Sequence, residues 1–277
     1  MIESVKWSIN NSCNLRCPFC FADYKSEVLT LEDDFKIVDK LNELGVKHID
    51  FFGKEPLLDD TIFKIMEYSV SKQYSFMFTF ISNGVNLEKF REQIIASPCR
   101  AFSISYDFMN TRTFNVPIDV IASFPDDFHI EFSIDVHKEG YKELVKNVRN
   151  INELGIINSF YFNPIMPLRT ESFTGISEDE YSDFINLLGQ DILEISTVKI
   201  PYEFSKLTRK YFRDDRFYTE PFCTAGMTHF FIDSDGTAYG CNVACMVHNK
   251  KRSCNFLNTD DYTLFNTIYN YGKRECL

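Results

Sequence analysis

Short apolar runs alternate along this chain with longer segments whose apolar residues recur every three or four positions. The runs have the length and the branched or aromatic content of β-strands, whereas the longer segments have the spacing of amphipathic helices. Strands that alternate with helices predict an α/β fold with a parallel sheet. The predicted strands are residues 5–9, 48–52, 76–81, 101–105, 130–136 and 159–165, and the predicted helices are residues 31–44, 61–71, 87–95, 142–154 and 178–188.

Six such strands in succession predict a partial (β/α)6 barrel resembling a TIM barrel, with right-handed crossovers. The pattern lapses into charged and aromatic residues between positions 200 and 221. We therefore predict two domains, a barrel over residues 1–200 and a small C-terminal β-hairpin and helix module over residues 201–277. In the module, Asp235 and Gly236 predict the turn of a hairpin between residues 228–233 and 237–241.

Composition and charge exclude several classes of partner. The 277 residues are 44% hydrophobic, which is enough to bury a large core, and they carry a net charge of −11. A protein this acidic is not expected to bind nucleic acid, because polyanion binders carry a clustered basic face. No apolar run is long enough for a membrane-spanning helix, and the N-terminus lacks a signal-peptide pattern. We expect a cytoplasmic protein.

Nine cysteines need an explanation in a cytoplasmic chain, since structural disulfides are rare in a reducing compartment. Most fall into two groups, which predicts two binding sites. Cys99 stands alone and is expected to be a buried small hydrophobe. The first group is Cys13, Cys17 and Cys20, and the second is Cys223, Cys241, Cys245, Cys254 and Cys276.

The first group has the spacing Cys-x3-Cys-x2-Cys directly after the first predicted strand. Three thiolates from one loop can hold three irons of a [4Fe–4S] cube and leave the fourth iron without a protein ligand. The alternative is a zinc knuckle or incidental buried cysteines. Zinc is the weaker interpretation, because structural zinc sites usually use four ligands in two matched pairs.

This loop resembles the defining motif of the radical S-adenosylmethionine (SAM) superfamily, in which an aromatic residue, here Phe19, precedes the last cysteine. Segments after later predicted strands resemble further motifs of that superfamily. Gly53-Lys54-Glu55-Pro56 resembles the Gly-Gly-Glu-Pro motif that binds the SAM amino group, with lysine in place of the second glycine. The remaining candidates for SAM contact are Ser82 and Asn83 after the third strand, Ser105 and Asp107 after the fourth, and Met166 after the sixth, where the adenine would lie.

The resemblance gives some of these residues a specific role. Glu55 beside an ammonium group would form a charge-assisted hydrogen bond, and Gly53 would let the backbone approach the ligand closely. We expect Lys54→Gly to cost little SAM affinity, because the motif uses the backbone at that position. The alternative for Glu55 is a solvated residue in an ordinary Gly/Pro turn, and for Ser105 and Asp107 it is a polar cap at a strand end.

The second group of cysteines resembles the C-terminal auxiliary-cluster module of many radical SAM enzymes, called SPASM or, when shortened, twitch. The resemblance implies one auxiliary iron–sulfur cluster, held by Cys223, Cys241 and Cys276 with Cys245 or Cys254 as the fourth ligand, Cys245 being favoured. A three-cysteine site with an open iron is the alternative. The spare cysteine, Cys245 or Cys254, would be either a buried side chain or a catalytic hydrogen-atom donor to a substrate radical.

The resemblance implies an oxidoreductase that uses SAM, a [4Fe–4S] cluster and a reductant such as flavodoxin or ferredoxin. The reduced cluster would cleave SAM to a 5′-deoxyadenosyl radical, which abstracts a hydrogen atom from the substrate. SPASM and twitch modules favour a ribosomally made peptide as that substrate, for cross-linking, oxidation or epimerisation. The alternatives are an aminocyclitol-type small-molecule dehydrogenase and, in a different class, a non-catalytic iron–sulfur or zinc protein.

Few residues precede Cys13, which leaves no room there for the leader-peptide-binding domain that some peptide maturases carry. A maturase of this design would need a separate leader-peptide-binding protein, or would bind the peptide with its own barrel and C-terminal module.

Overall fold

The fold is seen in a computed structural model of the chain, which describes residues 2–18, 20, 27–107, 115–165, 175–201, 204–211, 217–219, 225–242 and 253–269. Eleven strands in these ranges form one sheet in the order β11-β10-β9-β1-β2-β3-β4-β5-β6-β7-β8. The strands are β1 (Ser4–Trp7), β2 (His48–Phe51), β3 (Met77–Ser82), β4 (Ala101–Ser105), β5 (His129–Val136), β6 (Ser159–Pro164), β7 (Ser196–Ile200), β8 (Phe217–Thr219), β9 (His229–Ile232), β10 (Thr237–Tyr239) and β11 (Cys254–Asn255).

Helices follow most of the parallel strands, as the alternation predicts. Thr30 caps the first helix by accepting a hydrogen bond from the Asp33 N–H at 3.2 Å, and Gly45 with φ +75° follows its end. The helices are α1 (Leu31–Glu43), α2 (Thr61–Ser71), α3 (Leu87–Ala96), α4 (Ile118–Ala122), α5 (Tyr141–Asn152), α6 (Glu178–Leu188), α7 (Gln190–Glu194), α8 (Ser205–Tyr211) and α9 (Asp261–Tyr269), and a 3₁₀ turn spans Pro56–Leu58.

The α/β class and the partial TIM-like barrel are confirmed, and each of the six predicted strands is present to within two residues at either end. The parallel sheet is wider than predicted, because β7 and β8 extend it beyond β6. The predicted hairpin is β9 and β10, with β11 added antiparallel to β10. No helix in the described ranges is long and apolar enough to cross a membrane.

The C-terminal part of the chain shares its sheet with the barrel. β9 pairs in parallel with β1, from Ser4 opposite His229 to Trp7 opposite Ile232. The hairpin therefore lies beside the first strand, which is the strand that leads into the cysteine loop. The domain boundary between residues 200 and 201 stays a prediction.

The apolar core lies between the sheet and its helices. Alternate strand positions are fully buried there, among them Trp7, Phe51, Phe80, Phe132 and Phe162. Large aromatic side chains bury much apolar area each, so this layer provides most of the hydrophobic stabilisation of the barrel. The other face of the sheet carries the polar alternate positions.

Tyr181 of α6 makes a polar contact with the sheet inside that core. Its side chain is completely buried, and its hydroxyl donates to the carbonyls of Phe162 in β6 at 3.2 Å and Lys199 in β7 at 2.9 Å. Burial raises the pKa of the Tyr181 phenol, which therefore stays protonated as a donor. The contact fixes α6 against two neighbouring strands.

Tyr181→Phe removes this donor and keeps the ring. We expect it to lower the free energy of unfolding by about 1–2 kcal/mol, because the carbonyls of two strands lose the hydroxyl that they share. Urea denaturation followed by circular dichroism would measure the change. Tyr262→Phe is the matched control, since Tyr262 is 80% exposed. An equal effect of the two substitutions would contradict the role given to Tyr181.

Candidate active site

The predicted cluster loop begins where β1 ends, beside the carboxyl ends of β2 and β3. β1 pairs in parallel with β2, and β2 with β3. Segments that follow neighbouring parallel strands meet at one edge of the sheet, which is the edge where barrels of this kind carry their active sites. The structure therefore brings three predicted motif segments together: residues 13–20, 53–56 and 82–84.

Glu55 lies in the middle of this edge with its side chain completely buried. Its carboxylate accepts hydrogen bonds from the N–H of Leu57 at 2.9 Å, the hydroxyl of Ser82 at 2.7 Å and the N–H of Asn83 at 2.8 Å. A buried carboxylate needs such donors, because an ionised group without partners is costly to remove from water. The alternative of a solvated glutamate in an ordinary turn is therefore wrong. Binding of the SAM ammonium by Glu55 stays a prediction.

Two asparagines join Glu55 to the cysteine loop. Asn10 Nδ2 donates to the backbone carbonyl of Glu55 at 2.7 Å. Asn83 Nδ2 donates to Asn14 Oδ1 at 2.8 Å and lies 3.5 Å from the Sγ of Cys13. The same asparagine thus contacts the Glu55 carboxylate through its backbone and a predicted iron ligand through its side chain. A change in the position of Glu55 would be transmitted to Cys13.

The Cys13 thiol is half-buried and accepts hydrogen bonds from its surroundings. Burial raises the pKa of Cys13, and the nearby charge of Glu55 raises it further. Hydrogen bonds from the N–H of Leu15, at 3.4 Å, and from the Asn83 amide lower the pKa and only partly offset this rise. The thiol is therefore protonated at neutral pH without iron. Since iron binds the thiolate, cluster assembly would release a proton from this residue.

The structure describes all three cysteines of the first loop. Cys17 is half-buried and Cys20 exposed, and the Cys20 N–H donates to the Cys17 carbonyl at 3.0 Å. Among the described residues, no three Cys, His, Asp or Glu side chains converge closely enough to hold one metal ion. A cubane does not require that convergence, because each thiolate binds a different iron.

The backbone around Lys54 has the conformation that the motif predicts, whereas the ion pair made by the Lys54 side chain was not predicted. Gly53 has φ +91°, a conformation that favours glycine, and Pro56 begins the 3₁₀ turn. The side chain of Lys54 is buried, and its Nζ lies 2.6 Å from Asp233 Oδ1 at the end of β9. The expectation that Lys54→Gly costs little SAM affinity stays a prediction. The ion pair adds that the substitution would lower the stability of the fold, because it would leave a buried carboxylate without its cation.

The remaining SAM candidates are placed less fully. Ser105 ends β4, opposite Ser133 of β5. Asp107 is buried two residues later, and its backbone N–H donates to Asn115 Oδ1 at 2.9 Å. Both residues lie at the same edge of the sheet as Glu55, and their SAM contacts stay predictions beside the alternative of a strand-end cap. Phe19 and Met166 lie outside the described residues.

Two cysteines of the second group are described, and they lie on opposite faces of the sheet. Cys241, just beyond β10, is buried in a small cluster with Phe231 and Tyr239. Cys254 in β11 is opposite Ala238, which is opposite Ile232. It therefore lies on the outer, helix-covered face and packs against the main core. Cys223, Cys245 and Cys276 lie outside the described residues.

The inner face of the barrel sheet is lined with polar side chains that are buried or half-buried. The Thr79 hydroxyl donates to Asp50 Oδ1 at 2.9 Å, and Asn163 Nδ2 donates to Asp135 Oδ1 at 3.0 Å. Burial raises the pKa of Glu131 on the same face. In the described strands β1–β7 the charged groups here are three carboxylates and two lysines. They are Asp50, Glu131, Asp135, Lys6 and Lys199.

Sequence reasoning missed Asn10 and Asp233 as members of the site. Each directly follows the end of a strand or lies within three residues of it, so strand-end position was the one signal available. That signal does not say which distant residue a polar side chain will contact. Asp233 is 179 positions from Lys54, and only the pairing of β9 with β1 brings the two together.

Comparison with known sequences agrees with this site. Residues 7–178 match the Radical SAM superfamily, and this span includes the cysteine loop and strands β2 to β6. Curated relatives include a GTP 3′,8-cyclase from Staphylococcus epidermidis, which is 23% identical over 274 residues, an alignment that covers 87% of this chain and 78% of the relative.

Solved structures show the same fold. SuiB from Streptococcus suis, bound to its precursor peptide SuiA, matches with a TM-score of 0.75 and 16% identity over 97% of this chain. The chain spans 65% of that SuiB chain. The enzyme anSMEcpe with bound AdoMet and Cp18Cys peptide matches with a TM-score of 0.69 and 15% identity, covering 98% of this chain and 82% of that one.

The family match covers more than half of the chain and contains the three-cysteine loop that the structure places beside Glu55 and Asn83. Membership implies a [4Fe–4S] cluster, SAM and an external reductant. This chain belongs to the radical SAM superfamily.

Proposed function

We propose that this radical SAM enzyme acts on a peptide. Cys13, Cys17 and Cys20 would hold the cluster, and the loop around Glu55 would bind the amino group of SAM. When bound, the reduced cluster and SAM supply the radical that removes a hydrogen atom from the substrate. The chain's own residues bind and orient the two molecules and exclude water.

The observation that carries the peptide proposal is the character of the inner face. Its charged groups in the described strands are Asp50, Glu131, Asp135, Lys6 and Lys199, so acid exceeds base. Lys6 lies over the Phe52 ring, with its Nζ 4.6 Å from the ring centroid. Such a face suits hydrogen-bonding amides and cationic side chains. It is poorly suited to a triphosphate, which proteins bind with clustered Arg and Lys.

The fold comparison supports a peptide in a second way. SuiB and anSMEcpe, each solved with a peptide bound, match this chain over nearly its full length, including the C-terminal hairpin region. Two proteins of this fold therefore bind peptides, which supports a peptide as the substrate of this chain. An aminocyclitol-type substrate would also suit an acidic face, and it remains the small-molecule alternative.

A second candidate function is cyclisation of GTP. The curated relatives named GTP 3′,8-cyclase match this chain along most of its length, and this observation favours a nucleotide substrate. None of the described arginines lies in a strand, so none belongs to the inner face of the sheet. Arg91, Arg100 and Arg149 bond to helix ends and loops on the outside, and Arg16 donates to the carbonyls of Cys13 and Leu15.

Substrate-dependent SAM cleavage separates the two candidates. The reduced, reconstituted enzyme would be incubated with SAM and either GTP or any short peptide found to be encoded beside its gene. We expect a peptide to increase 5′-deoxyadenosine formation and to lose two hydrogen atoms, or to gain one deuterium in D2O if it is epimerised. GTP should have no effect. Formation of a cyclised nucleotide would contradict the proposal.

The auxiliary cluster is the second part of the proposal. Cys241 lies at the inner face of the sheet, where we propose that the auxiliary cluster is bound. Cys254 is turned to the outer face, where burial raises the pKa of its thiol and the hydroxyls of Thr259 and Thr267 contact it. A thiol in that position is poorly placed to bind the same cluster or to reach a substrate in the barrel. This favours Cys245 over Cys254 as the fourth ligand.

Iron content tests this assignment. We expect Cys241→Ala and Cys245→Ala to lose the iron of one cluster, and Cys254→Ala to keep the full amount. Cys99→Ala is the control, because Cys99 belongs to neither cysteine group and is completely buried beside β4, where its thiol donates to the Ala101 carbonyl at 3.2 Å. Iron and acid-labile sulfide assays on anaerobically reconstituted protein would measure the difference. Loss of iron from Cys254→Ala alone would reverse the assignment.

A further inference from the structure

The ion pair between Lys54 and Asp233 is buried to an unusual degree. Its two charged atoms lie 2.6 Å apart, and each side chain is 5% exposed. Removal of one partner from such a pair leaves a charge without compensation in a poorly solvated site, so the two groups hold each other in place. Exposed ion pairs on the same protein have no comparable constraint.

The pair spans three neighbouring strands. β9 and β2 lie on either side of β1. Asp233 directly follows β9, and Lys54 lies three residues after the end of β2. Ser8, the first residue after β1, lies between them: its N–H donates to the Ile232 carbonyl at 2.9 Å, and a Cβ on Gly53 would lie 3.4 Å from its hydroxyl. The ion pair therefore crosses the point where the chain leaves β1 toward Cys13.

The Asp233 end of the pair is fixed by the hairpin. The Asp233 N–H donates to the Thr237 carbonyl at 2.9 Å, and the carboxylate accepts from the Ser234 N–H at 2.8 Å. Ser234 also bonds to the chain that returns from the cysteine loop, because its hydroxyl donates to the Glu27 carbonyl and its carbonyl accepts from the Leu29 N–H, both at 2.8 Å. The carboxylate is thus a rigid anchor.

The Lys54 end lies in a backbone that glycine would adopt more easily. Lys54 has φ +49°, directly after Gly53 with φ +91°. A residue with a Cβ disfavours this region, so its presence here indicates that the side chain has a use. The next residue is Glu55, which bonds to Ser82 and Asn83 and through Asn83 reaches Cys13.

We propose that Lys54 and Asp233 are positioning residues that fasten the 53–56 loop to the C-terminal hairpin and thereby set the affinity for SAM. The inference rests on the proposed SAM site at Glu55. Through this pair, the C-terminal part of the chain acts on SAM binding without touching SAM. Neither side chain takes part in the chemistry.

The test compares SAM affinity in Lys54→Met, Asp233→Asn and the double variant, measured by equilibrium dialysis on reconstituted protein. We expect each single substitution to weaken SAM binding by about tenfold, within the range for residues that act through others. The double variant should be no weaker than the worse single one, since both remove the same interaction. Lys54→Arg should restore part of the affinity.

Lys64→Met is the matched control. Lys64 pairs with Asp60 at 2.7 Å, a similar length, but the two side chains are 47% and 44% exposed. It should bind SAM like the wild type. Amide hydrogen exchange on the iron-free protein gives a second readout. The amides of residues 53–57 should exchange faster in Lys54→Met than in the wild type, and at the wild-type rate in Lys64→Met.

The outcomes separate this inference from the proposed function. If the wild type does not bind SAM, the proposed SAM site fails. If the wild type binds SAM and folded Lys54→Met and Asp233→Asn bind it equally well, the positioning role is contradicted. Should these variants not fold, Asp233→Glu carries the test, because it keeps both charges and moves the carboxylate: weaker SAM binding supports the inference, and unchanged affinity overturns it.

Discussion

A buried carboxylate is the constraint on which the candidate active site depends. Glu55 is excluded from water, so its charge must be balanced by the donors at the end of β3 and in the turn that follows it. Those donors are available only when β2 and β3 pair in the observed register. Asn10 and Asn83 extend the same network to the cysteine loop. The sheet and the proposed cluster site are therefore linked through one side chain.

The two faces of the sheet differ in character: the outer face stabilises the fold, and the inner face is the one that we propose contacts the substrate. The outer face is aromatic and aliphatic and is covered by helices, whereas the inner face keeps polar groups in a partly dry interior. Polar groups in such a place are strong recognition elements, because unpaired ones are costly and a fitting ligand restores their hydrogen bonds. The excess of acid over base there is the reason that we propose a peptide, and not a triphosphate, as the substrate.

Most of the fold could be predicted from the sequence, because hydrophobic periodicity is a local property. The strand at His129–Val136 alternates along its whole length, and Thr61–Ser71 has one apolar stripe. β7 was missed although Val198 and Ile200 alternate, because it is short and follows closely on two helices. The three cysteines and the 53–56 segment were recognisable as motifs.

The contacts of the motif residues could not be predicted. Lys54 looked like a neutral departure from the motif, since its partner is supplied by a strand far along the chain. The inner or outer position of Cys241 and Cys254 depends on the pairing of β9, β10 and β11, and a shift of one residue would have exchanged their faces. Long-range register is a property of the folded sheet.

The measurement that tests the account most directly is SAM cleavage by the reduced, anaerobically reconstituted protein, with and without the three cysteines of the first loop. The wild type should form methionine and 5′-deoxyadenosine. Replacement of Cys13, Cys17 and Cys20 by alanine should abolish both products and remove about half of the iron, if each of two clusters holds four irons. Continued formation of 5′-deoxyadenosine by the triple variant would contradict the assignment of this loop as the site of SAM cleavage.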